Sequence, residues 1–84
     1  MRPARPVLRP GFAPVRHDGA HLQIGHLAPT RAVLPDHAEV RRLLDALSDP
    51  DALWEEPTAP HAVRALRRLA AAGLAVPAPR RLLE

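Results

Sequence analysis

Five histidines, at positions 17, 21, 26, 37 and 61, are the side chains of this 84-residue chain best suited to metal or acid–base work. Zinc takes three or four ligands in a tetrahedral array. The chain has no cysteine, so imidazole and carboxylate alone would have to supply them. His17, His21 and His26 lie close in sequence, but the hairpin register derived below puts His17 and His21 on opposite faces. They read as solvated side chains, and neither a metal site nor a cofactor is expected. Glu55-Glu56 and the pair Asp49 and Asp51 read as helix-end or surface charges, favourable near helix N-termini. Ser48, the sole serine, falls at a helix end and not in a nucleophile setting. No glycine-rich phosphate loop is present. No residue is therefore assigned a catalytic role, and the expectation is a binding protein and not an enzyme.

Composition narrows the field further. A chain of this length folds as one domain at most and buries only about 60–65% of its unfolded surface. The isoelectric point of 11.3 suggests a nucleic-acid binder, yet the net charge is only +3. All twelve basic residues are Arg, and no Lys, Tyr or Cys titrates just above neutrality. The isoelectric point is raised by what is missing. No apolar run approaches the roughly 18 residues of a membrane span. The start, Met1 to Pro10, lacks the apolar stretch of a signal peptide, so a cytoplasmic location is expected.

The elements that must position any site follow from the pattern. Residues 1–10 hold three Arg and three Pro and read as an extended arm, because proline disfavours helix and central strand. Residues 11–76 read as the folded domain and 77–84 as a tail. Phe12–Gly25 reads as a β-hairpin turning at Asp18-Gly19, a pair suited to a type I′ loop. That loop sets Val15 opposite Leu22 and Ala13 opposite Ile24 on one face, with Arg16, His21 and Gln23 on the other. Arg31–Leu34 is a third strand, closed by Pro35. Asp36 then stands as an N-cap with Glu39 three residues on, as in a capping box. Val40, Leu43, Leu44 and Leu47 mark one helix face over His37–Ser48. Asp49-Pro50 predicts a short second helix ended by Pro57. Pro60 opens a third, capped by Thr58 or Ala59, with Val63, Leu66, Leu69 and Ala70 facing inward and Gly73 at C′. The expected fold is α+β and winged-helix-like: a three-stranded antiparallel sheet followed by three helices.

Two surfaces of that fold invite a partner. Arg64, Arg67 and Arg68 cluster on the third helix, with Arg41 and Arg42 available nearby. A winged helix-turn-helix would lay such a helix in a DNA major groove. The low net charge, the absence of Asn, Gln and Lys base readers on that helix, and the lack of chain for wing strands after it all weigh against DNA. In a sheet of order 1-2-3 the strand Arg31–Leu34 is an edge. Its unpaired backbone groups can accept an extended peptide by β-augmentation, with a groove against the third helix supplying selectivity. The same edge would also serve a homodimer, so monomer and dimer both stay open.

The run Arg5-Pro6-Val7-Leu8-Arg9-Pro10-Gly11, "LQIG" at 22–25, "APTRAVLPD" at 28–36 and "LLDALSD" at 43–49 resemble the N-terminal region of actinobacterial ThiF-like adenylating proteins and cyclodehydratase partner proteins. The layout is similar to that of the peptide chaperone of pyrroloquinoline quinone biosynthesis. "RALRRLAAAGLA" at 64–75 resembles the closing helix of such recognition elements. The resemblance implies a peptide-recognition element of a ribosomal-peptide modifying system. The leader segment of a precursor peptide would add beside Arg31, Ala32, Val33 and Leu34. Its apolar anchors would enter a groove near Val63, Leu66, Arg67 and Ala70. The peptide would then pass to a modifying enzyme such as a cyclodehydratase or adenylating protein. The adenylating domain that follows in ThiF-like proteins is not in this sequence, so a stand-alone element, a truncated product and an excised domain are all open.

Overall fold

The computed structural model describes residues 5–78. The outer parts of the expected arm and tail, 1–4 and 79–84, lie outside the described residues. The chain order is β1 (Pro6–Leu8), β2 (Val15–Asp18), β3 (His21–Ile24), β4 (Ala32–Pro35), α1 (Ala38–Ser48), α2 (Pro60–Ala71) and β5 (Ala75–Pro77). The α+β class holds, but the expected winged-helix-like order with three helices does not: two helices pack with two sheets. One sheet has the order β2-β3-β4, and the other pairs β1 with β5.

The missing helix is the segment between Pro50 and Pro57. Six residues bounded by prolines offer too few hydrogen bonds to offset helix nucleation. The chain instead turns once, with the Ala52 amide donating to the Asp49 carbonyl and the Asp51 amide to Asp49 Oδ1. It then runs without regular structure to α2.

The second sheet arises where an arm and a tail were expected. Val7 and Leu8 are buried, and β1 lies antiparallel to β5 with Pro6 opposite Pro77 and Val7 opposite Val76. The Ala78 amide donates to the Arg5 carbonyl and the Arg9 amide to that of Leu74. Hydrogen-bonded pairs alternate with non-bonded ones along an antiparallel ladder, so Pro6 and Pro77 share a pair that needs no donor. Their missing N–H groups cost the sheet nothing. Arg5 then anchors this sheet to the helix layer. Its guanidinium donates to the carbonyls of Ala46 and Ala52 and lies 5.4 Å from the Trp54 ring centre. Because α1 has no basic residue in its last turn, Arg5 supplies the positive charge that a helix C-terminus favours.

The hairpin forms, but its register is shifted. The loop is Gly19-Ala20, neither of which has a positive φ. Asp18 closes it by accepting the Ala20 amide on Oδ1 at 2.7 Å, an Asx turn that replaces the type I′ geometry. Val15 faces Gln23 and Arg16 faces Leu22, with a bulge between Arg16 and Asp18. Arg16 therefore shares the inner face with Leu22, and Val15 is left outside at 48% exposure. The bulge also brings His17 and His21 within 6.5 Å, edge to face, where opposite faces were expected.

That reversal follows from Asp36. It is not the N-cap of α1; His37 is, accepting the Glu39 amide on Nδ1 at 3.2 Å. Asp36 instead accepts from Arg41 Nε at 2.5 Å and from Arg16 Nη2 at 2.8 Å. These hydrogen bonds, Arg41 first, hold its carboxyl well below the ordinary range. Two cations on one carboxylate tie β2 to the start of α1.

The core lies between the inner sheet face and the two helices: Ile24, Leu34, Val40, Leu47, Leu69 and Leu74 are fully buried. α1 buries Val40, Leu43, Leu44 and Leu47 as its periodicity dictates. α2 buries Ala62, Ala65 and Leu69, not the expected Val63 and Ala70. Val63 is half-buried and Ala70 exposed. Gly73 ends α2 with φ 73°, and the Gly73 and Leu74 amides donate to the Ala70 and Leu69 carbonyls, a Schellman close.

Candidate functional site

Strand β4 is an edge of the three-stranded sheet, and its backbone phase can be read from two bonds. Ala32, Leu34 and Asp36 stand opposite Ile24, Leu22 and Ala20, and the Asp36 amide donates to the Ala20 carbonyl at 2.8 Å. Residues of even number are therefore the hydrogen-bonded pairs. Val33 and, by the same alternation, Arg31 turn their N–H and C=O groups away from β3. Arg68 Nη1 donates to the Val33 carbonyl at 3.1 Å from that outer side, which agrees. Pro35 has the same phase, so it lacks a donor only where β3 would not use one.

Between this edge and α2 lie two shallow depressions that meet at Val33 and Arg68. One, of about 460 Å³, is bounded by Pro29, Arg31, Val33, Arg68 and Ala72. The other, of about 300 Å³, is bounded by His21, Val33, Leu34, His61, Arg64 and Arg68. The Arg68 side chain bridges the groove. Gly25 shapes its far end by starting the loop into β4. Its φ is 78°, and a Cβ there would collide with the Thr30 carbonyl oxygen, so no other residue fits without moving the loop.

The expected site residues divide cleanly. Arg31, Ala32, Val33 and Leu34 line the groove. Val63, Leu66, Arg67 and Ala70 do not; they lie on other faces of α2. The groove wall of α2 is instead His61, Arg64, Ala65, Arg68, Ala71 and Ala72. Spacings of three and four along that wall are those of one helix face. The signal was present in the arginines, since Arg64 and Arg68 fit this face and Arg67 does not. It was obscured by assigning Val63 and Ala70 to the core in place of the small Ala62 and Ala65, whereas Leu69 is buried and Leu66 packs against the core as expected.

The histidines separate into two groups. At the hairpin, His21 Nδ1 lies 3.0 Å from Asp18 Oδ1, and His17 Nδ1 lies 2.9 Å from Gln23 Oε1. The Ala20 amide first, then His21, holds the Asp18 carboxyl below its ordinary value. At the start of the helices, the His37 and His61 rings stack at 4.1 Å and 8°. His61 Nδ1 is 3.8 Å from Glu39 Oε2, too far for a hydrogen bond. These three residues were not expected to converge.

Comparison with family models, curated proteins and solved structures returns no match. Among the described residues, no helix is long and apolar enough to cross a membrane.

Proposed function

We propose that this domain binds the leader segment of a ribosomally made precursor peptide and presents it to a modifying enzyme, such as a cyclodehydratase or adenylating protein. It does no chemistry of its own and works in the cytoplasm. The peptide adds as a strand beside β4. The observation that carries this reading is the edge itself: Val33 offers an outward N–H beside a groove walled by Arg31, Arg64 and Arg68. Backbone pairing supplies affinity, and the groove supplies selectivity. The incoming strand takes the Val33 carbonyl from Arg68, which is then free to pair with an acidic side chain of the leader. Arg31 and Arg64 favour the same ligand charge.

The phase of β4 makes the test specific. Titration with the leader of a precursor encoded beside this gene is expected to slow hydrogen exchange at the Arg31 and Val33 amides. Ala32 and Leu34, already turned toward β3, keep their exchange rates. Binding without protection at Arg31 and Val33 removes strand addition from the account. Tight binding of duplex DNA with a steep salt dependence, and none of the leader, replaces the reading altogether.

A further inference from the structure

We propose that His37, Glu39 and His61 form a site for a divalent transition ion such as Zn²⁺, pinning the first turns of α1 and α2 together. One ligand atom from each lies within 4.8 Å of the others. His37 is the N-cap of α1, Glu39 is in its first turn, and His61 is in the first turn of α2. Helix packing thus assembles a set that sequence spacing does not announce, since His61 lies far along the chain from the other two.

A second observation points to a ligand. Glu39 Oε2 is buried and makes no hydrogen bond. A buried carboxylate oxygen without a donor is costly, and a cation seated between it and the two rings would satisfy it. The spacing suits such a bridge. His61 Nδ1 and Glu39 Oε2 are 3.8 Å apart, and two ligands each about 2.0–2.2 Å from one zinc ion stand roughly that far apart. The stacked rings, 4.1 Å between centres, present their edges side by side. Ligand atoms that stand up to 4.8 Å apart must close to roughly 3.5 Å around a tetrahedral ion, a side-chain adjustment on the order of 1–1.5 Å.

The donor set selects the class of ion. Two imidazoles and one carboxylate suit Zn²⁺, Co²⁺ or Ni²⁺, whereas Mg²⁺ and Ca²⁺ take oxygen ligands. Three protein ligands leave a position for water. The positive ends of two helices face the ion and weaken it somewhat, and the Glu39 charge opposes that effect. Binding also has a structural signature. His37 Nδ1 now accepts the Glu39 amide, so the opposite nitrogen carries the proton of the neutral ring. Ligation through Nδ1 displaces the amide, and ligation through Nε2 requires the other tautomer, which cannot accept it. Either way the Glu39 amide loses its bond to His37.

Titration of the purified chain with Co²⁺, followed by Zn²⁺ competition, tests the site. The expected result is one equivalent of Co²⁺ with visible ligand-field absorption, displaced by Zn²⁺, together with a shift of the Glu39 amide resonance. His61→Ala and Glu39→Gln should each weaken binding at least about tenfold. Both residues are partly exposed, and circular dichroism of the variants checks that they fold. His21→Ala should change nothing. No saturable Co²⁺ binding below about millimolar concentration overturns the proposal. So does binding that survives His61→Ala but fails with His21→Ala, which would place the ion at the hairpin.

Discussion

Replacing Val33 by proline separates the role of the β4 edge in binding from its role in folding. The Val33 N–H points away from β3, so its loss breaks no ladder bond. Pro35 already occupies the same phase in the same strand. Val33 is only half-buried, and Ala32 before it is extended, as a residue preceding proline prefers. The stability cost should be on the order of 1 kcal/mol, or about 4–8 °C in midpoint for a domain of this size. Leu34→Pro is the contrasting control. It deletes an inward donor and a side chain that is 0% exposed. Losing such a side chain alone costs about 2–5 kcal/mol, out of a total near 5–15, and this variant is expected to unfold.

Binding should respond in the opposite order of severity. Strand addition through Val33 uses its amide, and one lost hydrogen bond is worth about 0.5–1.5 kcal/mol, or roughly 2- to 12-fold in Kd. The proline ring also projects into the path of the incoming strand, so the loss should reach at least about tenfold. Calorimetric titration of the leader peptide into folded Val33→Pro measures it. A Kd within about twofold of the parent, with the fold intact, refutes strand addition at this edge.

Other perturbations follow from the same geometry. Gly25→Ala should destabilise by at least about 2 kcal/mol in urea melts, because it combines a strained positive φ with a contact to the Thr30 carbonyl. Asp36 has a folded pKa below its unfolded value of about 3.9, so its contribution is complete above that value and drains away as pH falls below it. Asp36→Asn should accordingly flatten the acid side of the stability–pH curve, as read from melting midpoints between about pH 2 and 6. Arg5→Ala should strip the cap from α1 and the cation from Trp54, and the change will appear as a shifted Trp54 emission and a lower midpoint, by about 1–2 kcal/mol.

Much of the architecture was legible in residue order. The α1 stripe Val40-Leu43-Leu44-Leu47 is buried as its 3.6-residue period demands, because every competing face carries charge. Gly73 ends α2 because a left-handed residue closes the helix and glycine takes that conformation without strain. The edge position of β4 followed from three short strands in succession. Proline misled the reading at both ends of the chain. A rule that excludes proline from paired strands depends on which way the missing N–H would point, and residue order does not contain that direction. Only the pairing of β1 with β5 puts Pro6 opposite Pro77, where no donor is needed. The face of α2 was undecided for a related reason. Val63 is more apolar than Ala62 and Ala65, yet the two alanines are buried and Val63 only half so, while Leu66 and Leu69 pack inward as expected. Tertiary packing therefore chose Arg64 and Arg68 for the groove and set His61 beside His37 and Glu39. The sequence by itself determined that an open strand edge and a basic helix would exist. The tertiary structure decided which face of that helix meets the edge, because helix rotation is set by side-chain volume at the contact and not by hydrophobicity along the chain.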